Sequence, residues 1–435
     1  MKPLNTRFKS ILKYSLSTIA LIVLLVITWV AYINFHGDEV PDAGRDAFYA
    51  RSSIKVPDNQ NIAVAISGIN APVGTDIIDH GRYVLDVYAT AESSKASEAI
   101  IEKNGETNLT IKSDELFCWV NDSFKNTPNK CASSMRIRTL LVENKLHLTS
   151  YSAIQRLPDL QGVIKNVMPV ILINELIAAE IKVDIADSKS AIAYQKWLQN
   201  HRFIDRVLAQ DGDTLNRKLF LLLYEKSLNT LEFLLFTSPN ITKEHGDKLL
   251  TILKPSGLEK YNFKGMLKLD HYYSQQGVSK MGLLSTKIHP EYIANRRYRA
   301  QINILKTAIE IPFKFEESNN KLYDQHYYNL YRFYKRDWLN PLNSLISNYA
   351  MSNVLRGFSI AESMHCANSL AKLLNLKIKI HQQHIADADI QAFLNTVGSE
   401  YNNPFSNKPM RWDAIKRVLI CDKPNSDKSA IEVRL

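Results

Sequence analysis

The chain carries one long apolar segment, residues 14–36, which contains no Asp, Glu, Lys or Arg. Its flanks differ in charge, with Lys2, Arg7, Lys9 and Lys13 before it and Asp38 and Glu39 after it. Roughly 20 apolar residues in an α-helix cross the hydrocarbon core of a bilayer. A basic flank is typical of the cytoplasmic side. The sequence therefore predicts a single-pass transmembrane anchor with a cytoplasmic N-terminus and an exported C-terminal part.

The alternative for this segment is a cleaved signal peptide. Its apolar run is longer than the roughly 7–15 residues of a typical signal-peptide core. Val30-Ala31-Tyr32-Ile33 lacks the A-x-A pattern of small residues that is typical of a signal-peptidase site. Trp29 and Tyr32 near the outer end suit the aromatic belt of a membrane interface. A retained anchor is the favoured reading.

The composition favours a helical protein that does not bind nucleic acid. Hydrophobic residues make up 45% of the chain, and only 15 of its 435 residues are glycine, which argues against a fold rich in tight β-turns. Four of the 54 basic residues precede the apolar segment, so the net charge of +10 leaves a mild excess for the remainder. No run of five or six like charges is present, as a nucleic-acid-binding tail would show.

The hydrophobic pattern and the polar breaks in it divide the chain into five predicted parts. We predict a cytoplasmic tail (1–13), the transmembrane anchor (14–36), a linker (37–58), an N-terminal subdomain (59–132) and a helical domain (133–435). The subdomain is expected to be helical around Pro72 and Gly74 and to contain the Cys118/Cys131 loop. The fold class is mainly α, with a small C-terminal β-hairpin formed by RVLICDK (417–423) and SAIEVRL (429–435).

The helical domain carries several boundary signals. Ser133 or Ser134 is a plausible N-cap for a helix that ends near Pro158. The apolar segment VIKNVMPVILINELIAAEIKV must kink at Pro169 or hold it in its first turn. TLNRKLFLLLYEKSLNTLEFLLF follows the cap candidates Asp211 and Asp213. Further helices are predicted at about 262–282, 286–309, 322–338, 340–355, 359–375 and 387–397.

The four cysteines are Cys118, Cys131, Cys366 and Cys421. An even number in an exported protein favours disulfide bonds, and three pairings exist. Cys118 and Cys131 flank a short polar loop, which favours Cys118–Cys131 together with Cys366–Cys421. The alternative is four free, buried thiols.

Two segments carry a family resemblance. NIAVAISGINAPVGTDIIDHGR (61–82) has an N…A…G…AP.G.D…G spacing, and NNPFSNKPMRWDAIKRVLI (402–420) has an NP-[YF]-x-x-KPM-R-[WY]-D pattern. With the N-terminal span and the cysteines, the chain resembles an uncharacterised family of single-pass inner-membrane-anchored proteins of Gram-negative bacteria. The resemblance implies a periplasmic location and a helical architecture, and it transfers no catalytic residue.

One group of residues could hold a metal ion. Glu362 and His365 are one helical turn apart, the spacing of carboxylate-bridged metal sites. His381 and His384 follow with the same spacing. Such sites need two Glu-x-x-His motifs, and the chain has one. Polar residues on a helix surface are the simpler interpretation, so no metal or other cofactor is predicted.

A second candidate is an aromatic stripe. Tyr327, Tyr331, Tyr334 and Trp338 follow one another at helical spacing. They form one face, which either packs in the core or lines a groove for a glycan or a partner helix. Core packing is the favoured interpretation.

No catalytic signature emerges. The chain lacks G-x-S-x-G and phosphate-binding glycine loops, and its S-x-x-K matches, such as Ser369 to Lys372, lack the partner motifs. We therefore expect a non-catalytic protein that binds an envelope protein or a cell-wall glycan. The alternative is a periplasmic hydrolase with a site near Glu362, His365, His381 and His384.

Overall fold

The computed structural model describes part of the chain. The described residues are 18–25, 27–28, 56–90, 98, 100–101, 106–111, 116, 133–162, 164–165, 167–267, 269, 304–314, 341–423 and 430–435, with the backbone alone for 341–358. Over these residues the protein is mainly helical with a small C-terminal antiparallel sheet. This confirms the predicted fold class at the level of secondary-structure content.

The predicted membrane span is described only in part. Residues 18–25 and 27–28 are helical, whereas the other positions of 14–36 lie outside the described residues. Among the helices that the structure describes, none combines the length and the apolar character needed to cross a membrane. The tail 1–13 and most of the linker 37–58 also lie outside the described residues.

The α-helices and β-strands from residue 56 onward whose bounds the structure gives organise the described part of the chain. They are α1 (Ile62–Ser67), α2 (Ile77–Thr90), α3 (Ser134–Glu143), α4 (Lys145–Ile154), α5 (Val167–Ala186), α6 (Ser190–Leu208), α7 (Thr214–Thr237), α8 (Pro239–Ile252), α9 (Pro341–Gln382), α10 (Ile390–Thr396), β1 (Arg411–Asp413), β2 (Val418–Cys421) and β3 (Ile431–Arg434). Short 3₁₀ turns lie at Asp58–Gln60, Leu258–Tyr261, Asp387–Asp389 and Ser399–Tyr401.

Helices α1 and α2 pack almost backbone to backbone. A Cβ on Gly68 would lie 1.9 Å from the carbonyl oxygen of Ile77, and a Cβ on Gly81 would lie 2.0 Å from the carbonyl oxygen of Val64. Both distances are far below any real contact, so only glycine allows the two helices to approach this closely.

Asn61 joins this helix pair to the chain that precedes α5. Its side-chain oxygen caps α1 by accepting from Ala63 N at 3.0 Å. The same side chain accepts from Gln161 N at 3.1 Å and donates to the Gln161 carbonyl at 2.9 Å. The glycines and the asparagine of the 61–82 motif therefore have structural roles.

The core of the described helices is built around α6, which packs against both α5 and α7. Its inner face buries large side chains, including Tyr194, Trp197, Phe203 and Ile204. Trp197 also donates from Nε1 to the carbonyl oxygen of Ser227 on α7 at 2.9 Å. These buried apolar surfaces provide the main driving force for the packing of the three helices.

The predicted helix starts in this region are confirmed, but the single helix predicted to end near Pro158 is divided at Asn144 into α3 and α4. Ser133 caps α3 by accepting from Arg136 N at 3.1 Å. Asp213 caps α7 by accepting from Asn216 N at 2.7 Å. Pro169 lies in the first turn of α5, where its missing N–H has no intrahelical partner to lose.

The C-terminal part differs from the prediction in two ways. The two helices predicted at 340–355 and 359–375 form one continuous helix, α9, because Gly357 between them weakens a helix without ending it. The predicted hairpin is confirmed as β2–β3, with Cys421 opposite Ile431, but β1 pairs with the other edge of β2 and makes a three-stranded sheet.

The close approach of α1 and α2 makes a stability prediction. We expect Gly68→Ala and Gly81→Ala each to lower the free energy of unfolding by about 2–3 kcal/mol, because a backbone carbonyl must move to admit the methyl group. Gly212→Ala is the matched control, since its Cβ would meet Asn216 Cβ at an ordinary 3.5 Å. Chemical denaturation of the full chain in mild detergent measures all three, and equal midpoints would contradict the packing.

Candidate functional site

Three polar side chains form a closed hydrogen-bonded ring inside the helical core. The hydroxyl of Tyr151 donates to Asn200 Oδ1 at 3.2 Å, and Asn200 Nδ2 donates to Asn174 Oδ1 at 2.9 Å. Asn174 Nδ2 donates back to the Tyr151 hydroxyl at 2.9 Å and also to the Val170 carbonyl at 2.9 Å. The ring ties α4, α5 and α6 together at one point.

The ring satisfies groups that would be costly to bury alone. Tyr151, Asn174 and Asn200 are 1%, 6% and 8% exposed. Burial raises the pKa of the Tyr151 hydroxyl, so the phenol stays protonated and remains a donor. An unsatisfied buried amide or hydroxyl costs roughly 1–3 kcal/mol, so each member depends on the other two.

The ring continues to the surface through two glutamines. Gln155, the residue that follows α4, donates from Nε2 to Asn200 Oδ1 at 3.0 Å. Gln199 on α6 donates from Nε2 to Gln155 Oε1 at 2.9 Å. Buried and surface amides therefore form one connected network.

This network ends in a surface groove of about 620 Å³ between the end of α4 and the outer face of α6. A volume of this size suits a small-molecule ligand. The residues around it include four cations, three glutamines and three larger apolar side chains, and no carboxylate: Gln155, Arg156, Ala191, Ile192, Gln195, Lys196, Leu198, Gln199, Arg202, Phe203 and Arg206. We call it the cationic groove.

Two of the four cations make ion pairs or hydrogen bonds within the protein. Lys196 Nζ lies 2.5 Å from Glu180 Oε1 and 2.6 Å from Asp184 Oδ2 on α5. Arg206 donates from Nη2 to the carbonyl oxygens of Gln155 and Leu157, both at 2.8 Å, and so fastens the end of α4 to α6. These two side chains shape the cationic groove.

The other two cations have no such partner. Arg156 and Arg202 are exposed, and no acidic side chain among the described residues pairs with either guanidinium group. A guanidinium carries a fixed fork of N–H donors that matches phosphate and carboxylate oxygens. The cationic groove therefore presents two free anion-binding groups beside neutral amides.

A second polar cluster lies deeper, between α6 and α7. His201 is fully buried, its Nδ1 lies 3.0 Å from the hydroxyl of Ser227, and its ring stacks on Trp197 with centroids 4.8 Å apart. Burial lowers the pKa of His201 to about 4, despite the opposing charge of Asp205. Lys260 Nζ pairs with Asp205 at 2.8 Å. His201 and Ser227 are packed inside the core, the Lys260–Asp205 pair is partly exposed beside them, and the cluster has a structural role.

The predicted metal candidates are not brought together. His365 is buried, donates from Nε2 to the Ala308 carbonyl at 2.8 Å and stacks on Phe313. Glu362 is half-buried. His381 is exposed about 24 Å further along α9 than His365, given 1.5 Å per residue, and the exposed His384 lies just beyond the end of α9. Among the described residues, no three His, Cys, Asp or Glu side chains could hold a metal ion.

The predicted disulfide between Cys366 and Cys421 is not seen in the structure, where both are free thiols. Cys421 on β2 contacts the Ser369 hydroxyl and Cys366 contacts Lys423, and the two thiols also interact electrostatically with each other. Burial raises the pKa of Cys421 to about 12, so its thiol is protonated and unreactive at neutral pH. Cys118 and Cys131 lie outside the described residues.

The aromatic stripe, Tyr327, Tyr331, Tyr334 and Trp338, also lies outside the described residues. The sequence interpretation missed the cationic groove, although a signal was present. Ile192, Gln195, Gln199, Arg202 and Arg206 recur every three or four residues, which places them on one face of α6. Arg156 could not have been assigned to that face, because it comes from a different part of the chain.

Comparison with known proteins finds no family model, no curated protein and no solved structure that matches this chain. The resemblance in residues 61–82 and 402–420 therefore stays a prediction.

The hydrogen-bonded ring makes a second stability prediction. Asn174→Leu and Asn200→Leu should each lower the free energy of unfolding by about 1–3 kcal/mol, because the remaining ring members lose a partner in the core. Gln195→Leu, on the exposed face of α6, should change it by less than about 0.5 kcal/mol. Chemical denaturation of the full chain measures these values, and equal losses in all three variants would exclude a special role for the ring.

The buried His201 makes a pH prediction. Its folded pKa of about 4 lies below the ordinary 6.5, so the unfolded chain binds the proton first as pH falls. The stabilising contribution is complete above pH 6.5 and is lost as pH falls toward 4. Between pH 7 and 5 the loss should be about 2 kcal/mol.

His201→Gln removes this titration while other buried histidines keep theirs. The difference in unfolding free energy between wild type and His201→Gln should therefore shrink as the pH is lowered from 7 to 5. A difference independent of pH would contradict the neutral, buried state of His201.

Proposed function

We propose that the protein is a membrane-anchored, non-catalytic binding protein that holds an anionic ligand in the cationic groove. The observation that carries the proposal is the pair of exposed, unpaired guanidinium groups of Arg156 and Arg202 in a groove of about 620 Å³ without a lining carboxylate. An anion placed there gains charge-assisted hydrogen bonds and meets no acidic side chain of the lining.

The proposed anchor is the apolar segment 14–36. Residues 18–25 and 27–28 of this segment are helical, and apolar side chains such as Leu24 and Leu25 are 61% and 60% exposed. Apolar side chains displayed on a helix to this extent need an apolar environment. We place the protein in a bacterial inner membrane, with a cytoplasmic N-terminus and the groove in the periplasm, where an envelope protein or cell-wall glycan is the partner.

The described residues give the hydrolase alternative little support. The nucleophile, base and oxyanion donors of a hydrolase must converge on one point. His365 contacts a backbone carbonyl inside the core, and the exposed His381 and His384 lie far from it, near and just beyond the C-terminal end of α9. Lys372, the lysine of the S-x-x-K match, donates to the Asn402 carbonyl at 3.1 Å.

A titration with inorganic phosphate tests the proposed function. Phosphate binding to the full chain in mild detergent is followed by ³¹P NMR. We expect saturable binding that weakens with added salt and becomes at least about tenfold weaker in Arg156→Gln/Arg202→Gln, which loses two charge-assisted contacts.

Lys416→Gln is the matched control, because it removes an exposed positive charge from the turn between β1 and β2. It should bind phosphate like the wild type. Equal weakening in the control and the double variant would indicate a general charge effect, and absence of saturable binding would refute the proposal.

A further inference from the structure

We propose that the ligand of the cationic groove is an anion that also carries hydroxyl groups, as a polyol or sugar phosphate does. The inference rests on the proposed function and names the ligand class. It comes from the direction of the hydrogen bonds that connect the buried ring to the groove, which the arginines alone do not determine.

The direction of the ring is set at its inner end. Asn174 Nδ2 donates to the Val170 carbonyl, which can only accept, so the Asn174 amide has one orientation. Its oxygen must then face Asn200, and it accepts from Asn200 Nδ2 at 2.9 Å. The oxygen of Asn200 is consequently turned toward Tyr151 and Gln155 and accepts from both.

The orientation of Asn200 fixes the orientations of the two glutamine amides that follow toward the surface. Since Asn200 presents an oxygen, Gln155 must donate with its nitrogen, and its own oxygen faces Gln199. Gln199 must then use its nitrogen as the donor to Gln155. The Gln199 oxygen remains, and it accepts no hydrogen bond from any described residue.

The groove thus combines two kinds of group in fixed roles. Arg156 and Arg202 offer donors with positive charge, and the Gln199 oxygen offers an acceptor. An acceptor beside an anion-binding pair is left unused by a carboxylate or a fully ionised phosphate group, which has no proton to donate. It suits a ligand whose charged group contacts the arginines and whose hydroxyl donates to Gln199. Ile192, an exposed residue of the lining, provides apolar surface for the carbon skeleton.

Matched ligand pairs test this inference. Glycerol 3-phosphate and propyl phosphate carry the same head group on a three-carbon chain, with and without hydroxyl groups. We expect the full chain in mild detergent to bind glycerol 3-phosphate about five- to tenfold more tightly, the effect of one hydrogen bond in a partly exposed site. Glycerate against propanoate, measured by displacement of phosphate in ³¹P NMR, tests the same preference with a carboxylate head group.

Gln199→Leu is the deciding variant, because it keeps the approximate shape and removes the acceptor. It should lose the preference, so that glycerol 3-phosphate and propyl phosphate bind to the variant with equal affinity. Arg156→Gln/Arg202→Gln should weaken both ligands by the same factor. Retention of the wild-type preference in Gln199→Leu would overturn the role given to this residue.

The outcomes separate this inference from the proposed function. Equal affinity within both ligand pairs, together with normal phosphate binding, would refute the hydroxyl preference and leave the anion-binding proposal intact. A preference in one pair supports the inference and identifies the head group as phosphate or carboxylate. Failure of every anion to bind would overturn both proposals.

Discussion

The ring formed by Tyr151, Asn174 and Asn200 is the constraint on which the rest of this helical domain depends. A buried amide is tolerated only when its donors and acceptors are used. Because the three partners come from α4, α5 and α6, the ring closes only when each helix has one rotation about its axis. Apolar packing alone would accept several rotations of α6. The ring selects one of them, and that rotation turns the glutamines and arginines of α6 toward the groove.

Features that depend on interactions between neighbouring residues could be predicted from the sequence, whereas those that depend on distant residues could not. Ser133 and Asp213 cap helices within three residues, and Pro169 acts within a single turn, so pattern analysis located them. Asn174 and Asn200 look like ordinary polar positions on apolar helices, because their partners are distant in the sequence. Strand β1 has three residues, too few to show an alternating pattern, and pairing with β2 makes it a strand.

The segments that carry the family resemblance illustrate the same distinction. Gly68 and Gly81 permit a close approach of two helices. Asn403 holds the loop before β1 by accepting from Phe405 N at 2.8 Å and donating to the Asp422 carbonyl at 2.7 Å. Unusual residues at fixed spacing therefore indicate demanding backbone geometry here. They do not indicate where a ligand would bind.

The candidate site is recognised instead by what the fold leaves unused. Lys196 is neutralised by two carboxylates, and Arg206 donates to two carbonyl oxygens. These contacts stabilise the fold, which is sufficient reason for both side chains to be there. Arg156 and Arg202 make no comparable contact, yet both line the same groove and both carry a positive charge. Like charges in one groove repel, and folding gives them no compensation there. An anionic ligand would offset this repulsion. The unpaired arginines therefore indicate a binding site, whereas the paired cations indicate a structural role.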